Sequence, residues 1–269
     1  MSVLRYPGGK TRAIKILLPY LPNDLIVLYS PFFGGGSLEL TCAKTLPNLQ
    51  KVYGNDKFQP LIDFWKAVQS DVKTICDSLY TIRPTITKEI FNEYRKTLNA
   101  EICNLQRAVM YFVINRCSFS GATFSGGFSD ESSKKRFTIS SIDRIKELDL
   151  SKIEFSCLDF TDFFSLHNDA LMLPGHYIYA DPPYMLGKGS KLYGTKGDLH
   201  EDFDHKKFKE CICKFPNWII SYNDTEEIRE LYVGYEIKPL QWAYGMNKSK
   251  TSSEIVILSR KSEVEKETA

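Results

Sequence analysis

The sequence contains no stretch of 18 or more apolar residues, so no membrane-spanning helix is expected. Its nearest candidate, Ile16 to Gly36, is broken by Pro19, Pro22, Asp24 and Pro31. A secretory leader is not expected either, because Tyr6-Pro7-Gly8-Gly9 stands where its apolar core should begin. None of the seven cysteines forms a C-x-x-C pair, which disfavours a zinc ribbon, and no metal is expected. Cys42, Cys76 and Cys157 lie among apolar neighbours and read as buried, reduced thiols, which suits a cytoplasmic protein. Internal repeats are absent. Net charge is only +2, which by itself selects no partner. Acid is missing locally, however, from 102–129 (with Arg107 and Arg116), 182–197 (with Lys188, Lys191 and Lys196) and 237–253 (with Lys238, Lys248 and Lys250). Such stretches suit a surface that faces a polyanion, although chance clustering on solvated loops gives the same pattern.

What is present is an ordinary globular composition: 269 residues, 43% hydrophobic and 25% charged. That length fits one large domain, or one with a substantial insertion. Short apolar runs recur at 25–30, 51–56, 152–157, 176–181, 217–222, 235–240 and 254–259. Their apolarity is continuous rather than alternating, as in strands covered on both faces. Helical patterns lie between most of them: Lys10 to Leu21, 59–69 and 204–214, with Asp224 to Glu227 reading as a capping box. The alternation predicts an α/β sheet, mostly parallel, whose last two strands form an antiparallel edge pair. Residues 71–150 break the pattern. They carry two helical stretches, 87–99 and 102–115, then a Ser/Gly/Phe-rich segment from Arg116 to Phe137, and no buried-strand signal. This reads as an inserted, mainly helical domain between portions 1–70 and 151–260, with a frayed tail at 261–269.

Four motifs carry chemistry. In the first, a strand runs through Ser30-Pro31-Phe32 into Gly34-Gly35-Gly36 and a helix. It is not G-x-G-x-x-G, so a turn beneath a nucleoside fits better than a phosphate cradle. In the second, Asp56 ends the next strand about 20 residues on, where ribose hydroxyls are bound in nucleoside-binding sheets. Taken alone, the glycines are also an ordinary strand-to-helix turn, and Asp56 a cap for the helix that follows. The third, Asp181-Pro182-Pro183-Tyr184, follows a buried strand. Two prolines remove two N–H donors and leave carbonyls free beside a carboxylate. A carboxylate and a carbonyl together can hold an –NH2 by both hydrogens, and Tyr184 can stack on the ring that bears it. Adenine N6 and cytosine N4 both answer to that description, in DNA or RNA. The fourth, Arg5-Tyr6-Pro7-Gly8-Gly9-Lys10, fails as a P-loop because Leu4 occupies the position that needs glycine.

In this order, the four motifs resemble the Dam-type (D12 class, alpha group) N6-adenine-specific DNA methyltransferases, across Arg5 to about Leu258. The resemblance implies a Rossmann-like fold, S-adenosyl-L-methionine as methyl donor, and a flipped adenine in double-stranded DNA as acceptor. It implies a monomer on DNA, with any cognate restriction endonuclease a functional and not a physical partner. Tyr6, Lys10, Phe32, Gly34, Gly36, Asp56, Asp159, Phe160 and Asp181 would contact the donor. Within these, Asp56 would hold the ribose and Asp159 would read the donor's adenine amine. Asp181 and the Pro182 carbonyl, beside Pro183, would hold the target amine, and Tyr184 would stack on the base. Residues 71–150 would be the target-recognition domain, with a β-hairpin near 116–137. DNA contacts would come from Arg116, Ser118, Phe119, Ser120, Thr123, Phe124, Phe128, Lys188, Lys191, Lys248 and Lys250. Two departures stand out. Ala122-Thr123 replaces the arginine that usually follows the first hairpin glycine, and Ser30 replaces an acid that usually precedes Pro-Phe.

Overall fold

The computed structural model describes residues 2–5, 9–119, 123, 126–185, 203–240 and 254–261. Every apolar run named above becomes a strand. They are β1 (Val27–Ser30), β2 (Lys51–Asn55), β3 (Ile153–Ser156), β4 (His176–Ala180), β5 (Trp218–Asn223), β6 (Tyr235–Leu240) and β7 (Glu254–Lys261). The sheet order is β3-β2-β1-β4-β5-β7-β6. The first five strands are parallel, and β7 runs antiparallel to both β5 and β6.

Both faces of the sheet are covered, which explains the continuous apolarity. Successive side chains of a strand point to opposite faces. Leu28 therefore joins one core cluster while Val27 and Tyr29 join the other, and Val256 parts from Ile255 and Ile257 in the same way. Against one face pack α1 (Ile14–Leu17), α2 (Ser37–Thr45), α3 (Gln59–Ile82), α4 (Lys88–Thr97), α5 (Asn104–Cys117) and α7 (Ile139–Lys146) or the core they share, and α6 (Asp130–Lys135) lies against α5. Against the other pack α8 (Phe160–Leu166), α9 (His205–Ile212) and α10 (Glu226–Leu231).

Several local expectations change. The Lys10 to Leu21 helix is three short turns, 3-10 at Lys10–Arg12, α1, and 3-10 again at Leu18–Tyr20. No side chain caps any of them, and Pro19 opens the last. The 59–69 helix continues to Ile82, but it breaks at Asp71 (φ −151°, ψ 67°). There the Asp71 carboxylate accepts from the Thr74 amide and hydroxyl, restarting the helix as a cap would. The cap of α10 is Thr225, whose side chain accepts from the Ile228 amide, and Asp224 instead pairs with Arg229. Of the expected hairpin near 116–137, part lies outside the described residues; among the described ones Ser118 and Phe128 form an antiparallel bridge, and the chain turns into α6 after Ser129. No strand occurs in 71–150 among the described residues, and α5 and α7 lie against α3. Phe64 of α3 stacks on Phe112 of α5 at 5.5 Å, so the inserted helices share one core with the sheet.

Asn55 fixes the carboxyl ends of three parallel strands. Its amide donates to the carbonyls of Pro31 (3.1 Å) and Leu158 (3.0 Å). Its oxygen accepts from the Ser156 hydroxyl (2.8 Å) and the Leu158 amide (2.9 Å). It is fully buried with all four hydrogen bonds made. Asn55→Ala orphans these groups at once. We expect it to destabilise the fold by about 3 kcal/mol, read as a lower urea midpoint at unchanged slope.

Candidate active site

The strand order reverses between β1 and β4, and ligands of open α/β sheets bind at that point outside the carboxyl ends of the strands. A cavity of about 420 Å³ lies there. Its walls come from the glycine turn after β1, Asp56 after β2, Asp159 and Phe160 after β3, and Asp181-Pro182-Pro183 after β4. Lys10 and Phe203 also face it.

The glycine turn is built around a ring. Gly36 caps α2 with φ +62°, and a Cβ there would meet the Phe33 ring at 2.4 Å. Only glycine accepts both that φ and that contact. The Trp65 indole donates to the Gly34 carbonyl (3.1 Å), and the Gly34 amide donates to Asp56 (3.0 Å). The other Asp56 oxygen accepts from the Phe58 amide (3.0 Å). Burial pushes Asp56 up to about 6, against the pull of those two amides. Phe32 and Phe160 stand 6.1 Å apart, each against Phe203 and Phe208, and form an aromatic wall. Asp159 caps α8 through the Thr161 amide and pairs with Lys57 at 2.9 Å.

Asp181 is the centre of the charged end. Its Oδ1 lies 2.8 Å from the Lys10 ammonium and accepts from the Ser221 hydroxyl at 3.0 Å. Since Ser221 gives its one proton to a carboxylate, the 3.1 Å contact from the buried Tyr179 hydroxyl must be donated to Ser221. Lys10 also meets Glu254 (3.3 Å) and donates to the Tyr184 hydroxyl, with its ammonium 4.8 Å from that ring's centroid. Burial alone would lower the Lys10 pKa; Asp181 and Glu254 outweigh it and raise it. Tyr184 is half-buried on the Lys10 side and is held by this cluster rather than by the wall of the cavity.

Two acids here were missed by the sequence reading. Glu254 opens β7 and reaches Lys10 across the sheet, a pairing 244 positions apart that no local pattern signals. Glu39 sits one turn into α2, is buried, and accepts from the Ser30 hydroxyl at 2.7 Å. Ser30 is the position where the resembled family usually has an acid, and the adjacent helix brings a carboxylate back to it. That missing acid was the available signal. Burial pushes Glu39 up to about 7, with the Ser30 hydrogen bond acting against it and Asp181 adding to it.

The residues expected on DNA divide. Phe119 is 69% exposed, whereas Phe128 packs edge-on to Phe91 at 5.5 Å. Ser118 and Thr123 are buried. The Ser118 hydroxyl accepts from the Thr123 amide, and the Thr123 hydroxyl accepts from Asn115, so both hold the segment together from inside. Arg116 is buried as well. Arg107, in an acid-free stretch of sequence, pairs with Asp63 of α3. Tyr6, Ser120, Phe124, Lys188, Lys191, Lys248 and Lys250 lie outside the described residues.

Glu39 gives a pH signature. Its carboxyl is protonated in both states below its ordinary value of 4.5, and above about 7 it is ionised in both. Between the two, only the unfolded chain gives up the proton, so stability falls as pH rises. Relative to Glu39→Gln, the wild type should lose about 3 kcal/mol between pH 4.5 and pH 7.5. Urea denaturation of both proteins across that range checks this, and parallel curves contradict it.

No curated protein matches the chain in sequence. The D12 class N6 adenine-specific DNA methyltransferase family model matches residues 6–246, a span that takes in the N-terminal Tyr6–Lys10 motif, the glycine turn, Asp56 and Asp181. The chain therefore belongs to the D12 class N6 adenine-specific DNA methyltransferases.

Proposed function

We propose that the chain methylates N6 of an adenine swung out of double-stranded DNA at a specific sequence, with S-adenosyl-L-methionine as donor. The carrying observation is that the glycine turn, Asp56 and Asp181 open into one cavity, so a donor and an acceptor base can meet there. The residues present suit this donor. Five acids, Glu39, Asp56, Asp159, Asp181 and Asp204, line that cavity with three lysines, Lys10, Lys57 and Lys207, and the majority of acid favours a cationic ligand. Phe32 and Phe160 offer flat apolar faces for a purine.

When bound, the donor supplies a methyl group already activated by its sulfonium. The chain must then orient the acceptor. Asp181 and the Pro182 carbonyl each accept one hydrogen of the exocyclic amine, which favours a localised lone pair on nitrogen. Lys10 and Ser221 both engage Oδ1, which fixes the carboxylate plane before the base arrives. As the amine becomes cationic, Asp181 stabilises it and is the nearest group to take its proton. In-line placement supplies much of the remaining rate. Tyr184 would stack on the base once extruded, a step that costs a few kcal/mol and is offset by contacts elsewhere on the duplex.

Residues 1–70 and 151–260 form the catalytic portion in this reading, and 71–150 the portion that meets the target. Exposed Phe119 is the described candidate for an aromatic wedge. Lys188, Lys191, Lys248 and Lys250 would meet phosphates.

Asp181→Ala should reduce methyl transfer by at least a thousandfold while duplex binding stays within about threefold. Label transfer from methyl-tritiated donor, followed by digestion to nucleosides, reads both rate and product. Near-normal turnover would sink the mechanism, and N4-methylcytosine would move the acceptor. Ser221→Ala removes one hydrogen bond from Asp181 and frees that side of it. It should lower kcat about tenfold with little change in donor affinity.

A further inference from the structure

Away from the active site, five cationic side chains line one open cavity of about 710 Å³: Arg5, Arg116, Lys135, Arg136 and Arg144. Two acids, Asp143 and Glu147, face the same space, and Asp143 is already engaged by the Tyr80 hydroxyl at 2.5 Å. The cluster joins distant parts of the chain. Arg5 donates to the Ser118 carbonyl (3.1 Å) and the Ser132 hydroxyl (3.3 Å), and Asn115 clasps the Arg5 backbone from both sides. Arg136 and Arg144 come from the end of α6 and from α7, and both are exposed.

Arg116 is the informative member. It is 5% exposed, and neither Nε nor Nη2 has a hydrogen-bond partner among the described residues. Its guanidinium lies 5.4 Å from the centroid of the Phe112 ring, and the last turn of α5 favours a cation. Those contacts account for where the group sits. They leave two buried N–H groups unsatisfied, and such groups cost about 1–3 kcal/mol each. Burial, together with Arg144, Arg5 and Arg136 nearby, drives its pKa down to about 10. Both penalties are removed by one multidentate anion.

We propose that this cavity binds a phosphate group, taken by Arg116 from below and by Arg136 and Arg144 from the open side. Tetrahedral oxygens suit several guanidinium forks at once, which a single carboxylate does not. The site lies at the root of the segment that leaves α5. There a phosphate of the DNA backbone would fix that segment's register without reading sequence. A free phosphate would bind through the same chemistry. The source, though not the site, rests on the DNA methyltransferase reading.

The test uses the full chain, the double variant Arg136→Ala/Arg144→Ala and, separately, Arg116→Gln. Inorganic phosphate should raise the wild-type Tm above chloride at equal ionic strength, and the gain should vanish in both variants. On two unrelated duplexes, the slope of log affinity against log salt should become shallower by about one for each phosphate no longer neutralised, equally on both. Donor affinity by calorimetry should be unchanged. A phosphate effect abolished in the variants while wild-type protein binds no duplex keeps the site, assigns it a free phosphate, and defeats the DNA reading instead. An unchanged phosphate gain and an unchanged slope in both variants overturn the proposal. So does a change of preferred sequence at constant slope, which would make these residues base readers.

Discussion

Lys10 carries an ammonium into a site where it is 4% exposed, and its position follows from the two carboxylates that receive it. A lone charge there would be driven to neutrality by desolvation. With Asp181 at 2.8 Å and Glu254 at 3.3 Å, the charged form is kept. Three otherwise distant pieces are thereby brought together: the N-terminal segment, the turn after β4 and the start of β7. Without these carboxylates Lys10 would be a buried charge lacking a counterion, a loss of about 3–5 kcal/mol in comparable settings. The same pair sets the orientation of Asp181, so folding and the proposed chemistry share one interaction. Ser221 and Tyr179 extend it inward as a donor chain.

The strands were legible because each is covered on both faces, which writes an unbroken apolar run into the sequence. The cavity's main walls were legible for a related reason. Glycines, Asp56 and Asp181 sit at strand ends, and strand ends were easy to find. What escaped was pairing at a distance. Glu254 reads as an ordinary strand residue until the sheet folds it against Lys10. Glu39 reads as a polar residue in a helix until α2 turns it toward Ser30. Asn55 lies beside the noticed Asp56, and its role depends on three strands being adjacent. The second half of α3 and all of α7 went unread because the break at Asp71 and the Ser-rich sequence before Ile142 interrupt the apolar spacing.

Charge along the sequence proved an incomplete guide to charge in space. Residues 102–129 contain no acid, yet Arg107 meets Asp63 of α3 and is neutralised. Arg116, nine residues on and on the same helix, meets more arginines instead. Two residues identical in type and in local sequence character thus differ completely in what they ask of their surroundings. The difference arises from which helix each one faces.

Phe64 and Trp65 in the first half of α3 pack with Phe112 of α5 and with Phe155 of β3 in one continuous core. The helices of 71–150 are therefore not a cassette clipped onto an independent engine. Exchanging residues 71–150 between relatives would cut through this aromatic stack and expose it on both products. On the proposed reading, target choice is more readily altered by changing side chains beyond α5 than by transplanting 71–150 whole.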